Sequence, residues 1–195
     1  MSLRSIARAG ALAGAAVAVG VWSSGGRGRA LDERLFRAAN AGAGRTGDAF
    51  FTGMTELGSI WASAGAATVL AMAGRRRAAA KALAAASAAW LAGQGLKELF
   101  GRPRPYEADP DGGRLLIGHP MASSWPSSHP AVFLAFVTVA GREARLGVAA
   151  RGAFTALSGV VGASRVYVGV HYPADAVGGL LLGRAVAELV SGVDR

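Results

Sequence analysis

Two histidines in an otherwise apolar chain carry the chemical content of this sequence. His129 closes the stretch PSSH (Pro126–His129), between two prolines and beside the hydroxyls of Ser127 and Ser128, at the point where a polar segment runs into the apolar AVFLAF. His171 lies in SRVYVGVHYPAD, six residues after Arg165 and four before Asp175. With a turn at Tyr172-Pro173, that spacing lets the carboxylate accept a hydrogen bond from one imidazole nitrogen and leaves the lone pair on the other, the orientation a nucleophilic histidine needs. A third cluster, KELFGRPRP, places Lys97 seven residues before Arg104 and then Pro105.

Each cluster also has a plain structural reading. Lys97 and Arg104 at a helix end fit an interfacial anchor whose cations snorkel to water. Pro126 with Ser127 or Ser128 as N-cap is an ordinary helix start, and His171 with Asp175 can be a structural pair capping the last helix. Taken together the three clusters supply more than these readings use. Lys97, Arg104 and Arg165 are fixed cations, the seryl hydroxyls and the N–H groups of a helix N-terminus are donors, and two histidines and one carboxylate complete the set. That inventory suits a tetrahedral, multiply charged oxyanion, because guanidinium groups bind phosphate in bidentate fashion and helix N-termini attract anions. A phosphate group is the expected ligand.

The elements that must position these residues are hydrophobic. The chain has 195 residues, 52% of them hydrophobic and only 17% charged, which is too apolar for an ordinary soluble domain. Its 29 glycines suit close helix packing in lipid. The expected fold is all-α, an integral membrane bundle of about six transmembrane helices, in one membrane-embedded domain over 1–195. Apolar runs cover Ala9–Gly26, Leu57–Gly74, Ala78–Phe100, a segment from Ser127 to GREAR, Leu146–Ala163 and Pro173–Ser191. The first run also has the look of a signal peptide, but no clear cleavage site follows it. The last three have uncharged cores shorter than the ~20 residues a spanning helix uses. Between the first two runs, LDERLFRAANAGAGRTGDAFF spaces Leu31, Leu35, Phe36 and Ala39 as one face of an interfacial helix. The proline-punctuated loop from Gly101 to Pro130 is too long to be only a connector, and Arg184 and Glu188 in the last run are spaced to pair.

The net charge of +9 comes from 21 basic and 12 acidic residues. The basic residues cluster at the ends of apolar runs, which argues for membrane topology over nucleic-acid binding. With the N-terminus in the cytoplasm, Arg75–Arg77, Lys81, Arg142, Arg145 and Arg151 fall inside, and the three clusters fall on the extracytoplasmic face of a multi-pass protein of the cell membrane. Arg27, Arg29, Arg34, Arg37 and Arg45 then lie outside, against the rule. The absence of cysteine excludes disulfides and thiolate chemistry. Three histidines without a ligand motif give no metal site and no cofactor, DPDGG at Asp109–Gly113 reads as a turn, and His119 reads as a surface residue of the loop.

KELFGRPRP, PSSH and SRVYVGVHYPAD, in that order over Lys97–Asp175, resemble the three signature motifs of the type 2 phosphatidic acid phosphatase superfamily, and TELG at Thr55–Gly58 is family-like as well. One position departs: Ser128 stands where the family has glycine. Serine is tolerable there, and its hydroxyl adds a donor, if the phosphate takes the backbone N–H. Activity suffers if close backbone approach requires glycine. The resemblance implies a metal-independent lipid phosphatase. In it His171 attacks phosphorus to form a phosphohistidine, Asp175 orients His171, and His129 acts as general acid and then base. Lys97, Arg104, Ser127, the Ser128 amide and Arg165 hold the phosphate oxygens. The expected substrate is a polyprenyl (undecaprenyl) diphosphate, with phosphatidic acid, phosphatidylglycerol phosphate and a prenyl-phosphosugar as alternatives. A non-catalytic anion-binding membrane protein is the alternative of another class, and a vanadium haloperoxidase is disfavoured because those relatives are larger and soluble.

Overall fold

The computed structural model describes residues 2–192. They form nine helices and no strand: α1 (Leu3–Ser23), α2 (Gly26–Asn40), α3 (Gly44–Glu56), α4 (Ile60–Met72), α5 (Arg76–Phe100), α6 (Pro105–Ala108), α7 (Ser128–Glu143), α8 (Val148–Tyr167) and α9 (Pro173–Gly192). The six apolar runs fall on α1, α4, α5, α7, α8 and α9. The amphipathic stretch forms two helices, α2 and α3, rather than one. The chain turns between them at Gly42, whose φ of 98° is a left-handed conformation that glycine adopts without steric cost.

Small residues set the packing. α5 buries Ala78, Ala82, Ala85, Ala86, Ala89 and Gly93 along one stripe and lies against α7. α9 meets α7 backbone to backbone. A Cβ on Gly179 would stand 2.2 Å from the Ser127 carbonyl oxygen, and one on Gly183 would stand 2.3 Å from that of Ala131. Gly179 and Gly183 are four residues apart, so they form one small-residue face, the usual means by which helices approach closely in lipid. α1 lies along α9. The fully buried Trp125 wedges between them over Gly20 and Gly178, with the Phe100 ring 4.1 Å away.

Polarity is distributed as in a membrane protein. Trp61, Val69, Leu91 and Leu99 are more than half exposed on the outer surface, whereas Asp32, Lys97, Arg104, Arg165, His171 and Asp175 are buried. By length and composition α1 is the one helix among the described residues apolar enough to cross a membrane, and α4 is apolar over 13 residues. The others carry charges at their ends, and these gather at two levels. At one end Arg77 and Lys81 pair with Glu143, while Arg142 and Arg184 share Glu188 in the pairing that the Arg184–Glu188 spacing predicts. At the other end the C-termini of α1, α5 and α8 meet the N-termini of α7 and α9. The arginines of α2 lie at this second end, so the departure from the positive-inside pattern seen in the sequence persists in the fold.

Candidate active site

The loop between α5 and α7 folds back over the second end of the bundle. Lys97 Nζ donates to the carbonyls of Ser123 (2.6 Å) and Ser124 (3.1 Å), and Ser123 Oγ returns a bond to the Lys97 carbonyl (2.7 Å). Lys97 is therefore buried under the loop and is no snorkelling anchor. An ammonium has three donors, and one remains after these two bonds. Arg104 reaches the same region, with Nε donating to the Ala122 carbonyl (2.7 Å) and Nη1 to that of Val170 (2.8 Å). On the far side of the loop Leu116 N–H bonds the Val168 carbonyl (3.1 Å), and Asn40 of α2 accepts from Arg114 N–H while donating to the Arg114 and Tyr167 carbonyls. The Asp109–Gly113 segment forms the expected turn, and His119 is exposed, its ring edge-on to Tyr106.

Asp175, in the first turn of α9, organises the centre. One carboxylate oxygen accepts from Arg102 Nη1 (2.6 Å), and the other accepts from Ser124 Oγ and Tyr172 N–H (2.8 Å) and faces His171 Nδ1 at 3.4 Å. Its backbone carbonyl accepts from Ser127 N–H (3.0 Å), which ties the start of α7 to the start of α9. The other imidazole nitrogen, Nε2, lies 3.3 Å from Arg104 Nη1. A guanidinium nitrogen can only donate, so the neutral ring carries its lone pair on Nε2 and its proton on Nδ1, toward Asp175. Burial, reinforced by the charges of Lys97 and Arg104, holds His171 well below the ordinary imidazole range even though Asp175 pulls the other way. The ring is a neutral base at physiological pH.

Ser127 occupies the N-cap of α7, but its hydroxyl caps nothing. Pro130, in the first turn, has no N–H, so Ser128 and His129 supply the orphan donors of this helix start. The hydroxyls of Ser127 and Ser128 and the Nε of Arg165 are buried without a hydrogen-bond partner among the described residues. Arg165 is fixed instead through Nη1, which donates to Thr55 Oγ1. His129 is held from above by the α3–α4 turn: a Cβ on Gly58 would stand 2.6 Å from His129 Cβ. His129 lies within Coulombic reach of Arg165, Arg104 and Lys97. The TELG stretch thus supplies Thr55 to Arg165 and Gly58 to His129. Ser128 projects toward α5, with its Oγ 3.2 Å from where a Cβ of residue 93 would stand, so the space for the departing side chain comes from Gly93.

The structure brings Lys97, Arg104, Ser127, Ser128, His129, Arg165, His171 and Asp175 to one end of the bundle. Buried donors without partners require an explanation, and here they lie at the same end of the bundle as a neutral imidazole whose Nε2 faces the Arg104 guanidinium, a fit for a phosphate group. The sequence reading missed Arg102 and Asp32. Arg102 Nη2 pairs with Asp32 of α2 (2.7 Å), Asp32 accepts from Ala174 N–H at the start of α9 (2.8 Å), and the Arg102 guanidinium covers the Tyr172 ring at 4.2 Å. Burial pulls the Arg102 pKa down, but Asp175 and Asp32 outweigh it and the net shift is upward. Arg102 was visible in GRPRP, yet nothing local in the sequence connects it to an aspartate 70 residues upstream.

Residues 77–193 match the PAP2 superfamily, and the chain belongs to it: a membrane-embedded phosphatase acting on lipid phosphates. No curated protein sequence matches the chain. Among solved structures it is similar to the transmembrane PAP2-type phosphatidylglycerolphosphate phosphatase of Bacillus subtilis, with a TM-score of 0.76 and 22% identity over 96% of each chain. It is also similar to Aquifex aeolicus LpxE, with a TM-score of 0.73 and 25% identity over 82% of this chain and 93% of that one.

Proposed function

We propose that this protein hydrolyses a lipid phosphate or diphosphate without a metal, through a phosphohistidine on His171, as a multi-pass protein with its reactive end on the extracytoplasmic side. The observation that carries the reading is the placement of the His171 ring, with Nδ1 3.4 Å from the Asp175 carboxylate and Nε2 3.3 Å from Arg104 Nη1, which favours the proton on Nδ1 and the lone pair on Nε2. Nε2 attacks phosphorus, the N–P bond forms, and the P–O bond to the lipid breaks as His129 gives a proton to the leaving oxygen. Water then attacks phosphorus and loses its proton to His129, the N–P bond breaks, and inorganic phosphate leaves with His171 restored. Lys97, Arg104, Arg165, the Ser127 hydroxyl and the Ser128 amide stabilise charge on the phosphoryl oxygens, the role a metal ion has in other phosphoryl-transfer enzymes.

The short chain and an outward-facing site favour a polyprenyl (undecaprenyl) diphosphate. Phosphatidylglycerol phosphate is the second reading, favoured by the likeness to the Bacillus subtilis enzyme. Phosphate release from a panel of lipid mono- and diphosphates in detergent with EDTA tests both. Turnover is expected to survive chelation and to vanish in His171→Ala, and the preferred lipid is the one with the highest kcat/KM. Equal turnover by His171→Ala and the parent protein rules out the mechanism.

A further inference from the structure

One half of α8 departs from the packing of its neighbours. Nine successive residues, Val148 to Ala156, are exposed on every face of the helix, and burial begins only at Ser158. A helix packed in a bundle has a buried stripe; this half has none because it stands off α7. The gap beneath it has two chambers. Toward α9 lies a cavity of about 350 Å³ lined by Arg142, Arg151, Arg184 and Thr155. Toward α4 lies an apolar cavity of about 350 Å³ lined by Phe133, Phe136, Leu146 and Phe154. Val137 of α7 lines both chambers.

The polar chamber has surplus positive charge. Arg142 and Arg184 share the single carboxylate of Glu188, at 2.6 and 2.9 Å. The guanidinium of Arg151 has no hydrogen-bond or ion-pair partner among the described residues, and only its aliphatic stem packs, beside Gly141. Among the described residues one carboxylate among three guanidiniums leaves two charges unmatched beside an apolar chamber, which is the complement of an amphiphile with an anionic head. Arg142 ends α7 and His129 begins it, so the polar chamber lies about 20 Å from the reactive cluster along the helix axis at 1.5 Å per residue. It is no part of that cluster.

We propose that the gap under α8 binds a phosphate-bearing anionic lipid of the leaflet opposite the reactive end, with the phosphate among Arg142, Arg151 and Arg184 and the chain against Phe136, Val137 and Phe154. Guanidinium forks match phosphate oxygens, and basic pockets between membrane helices recognise anionic headgroups. A free phosphate ion satisfies the arginines but leaves the apolar chamber unused.

The test is thermal unfolding of the full-length protein, delipidated in a neutral maltoside detergent, titrated with dioleoyl phosphatidylglycerol, dioleoyl phosphatidylcholine or inorganic phosphate. Phosphatidylglycerol is expected to raise Tm saturably, phosphatidylcholine to raise it less, and inorganic phosphate to leave it unchanged. Arg151→Gln weakens the apparent affinity for phosphatidylglycerol by about tenfold or more, while phosphate release from a short-chain substrate is unchanged. Gly152→Leu gives a second reading: Gly152 lines the polar chamber and a Cβ there meets no atom within 4 Å, so the added side chain has room to occupy the chamber and weakens the same lipid. Phosphatidylglycerol affinity unchanged in both variants, or an equal shift from inorganic phosphate alone, overturns the proposal.

Discussion

At the scale of the residue, the catalytic proposal rests on where one proton sits, and that depends on Asp175. Its carboxylate is divided between His171 on one side and Arg102 on the other, and Arg102 is in turn shared with Asp32. Asp32 balances the guanidinium, so that Arg102 does not draw the Asp175 carboxylate away from the imidazole. Removing one partner of a buried ion pair leaves the other charged and unsolvated, at a cost of about 3–5 kcal/mol. Arg102→Gln is therefore expected to lower Tm markedly. Asp32→Asn keeps Arg102 but hands all of its charge to Asp175. Its expected signature is a kcat reduced by about tenfold or more, the 1.4 kcal/mol that one disturbed charge-assisted bond is worth, with KM little changed, because neither residue is among the proposed phosphate ligands. Steady-state kinetics beside a melting curve separates the two effects. An Asp32→Asn protein with parental kcat and a lower Tm makes the Asp32–Arg102 pair a structural strap alone.

At the scale of the element, the reactive end is built from helix termini held by glycine contacts, and the α3–α4 turn is the clearest case. Gly58 lies against His129 and Val161 so closely that a methyl group at position 58 stands 2.6 Å from one and 2.8 Å from the other. Overpacking of this kind costs about 1–3 kcal/mol, and part of it is relieved by moving His129. Gly58→Ala is expected to reduce kcat more than it reduces Tm, and rescue by a smaller or better leaving group, which needs less proton donation, identifies displacement of His129 from the proton-donor role proposed for it. Loss of stability without loss of kcat in the folded fraction removes His129 positioning from the role of this turn. The existence of this contact was not legible in the sequence. TELG could be matched as a pattern, but Thr55 finds Arg165 and Gly58 finds His129 only through the antiparallel packing of separate helices. The long elements were legible, because apolar runs bounded by arginine, glycine and proline dictate where helices start and stop. The division of the amphipathic stretch at Gly42 was not, since AANAGAG reads equally well as a continuing helix.

At the scale of the whole molecule, the sequence motifs identified which side chains gather, while their partners had to come from the fold. Lys97 reads as a terminal anchor in one dimension and is a buried strut in three, because the loop that covers it returns from 26 residues away. Two ends of opposite use result. One presents the cluster around His171. The other collects Arg75–Arg77, Lys81, Arg142, Arg145, Arg151 and Arg184, where positive residues hold a membrane protein in the cytoplasm. The arginines of α2 oppose this orientation, but Arg29 is paired with Glu33 and α2 is tied down through Asp32 and Asn40, so the helix is bound to the bundle whichever side it faces. The connection at Arg75–Arg77 is short and carries three successive arginines between the apolar runs of α4 and α5, and it should dominate. The chain lacks cysteine, which makes single-cysteine reporters unambiguous. His119→Cys, on the exposed loop over the reactive end, is expected to react with a membrane-impermeant maleimide in intact cells, and Arg76→Cys to react only after permeabilisation. The reverse pattern would place the phosphatase site in the cytoplasm, and with it the lipid pool the enzyme acts on.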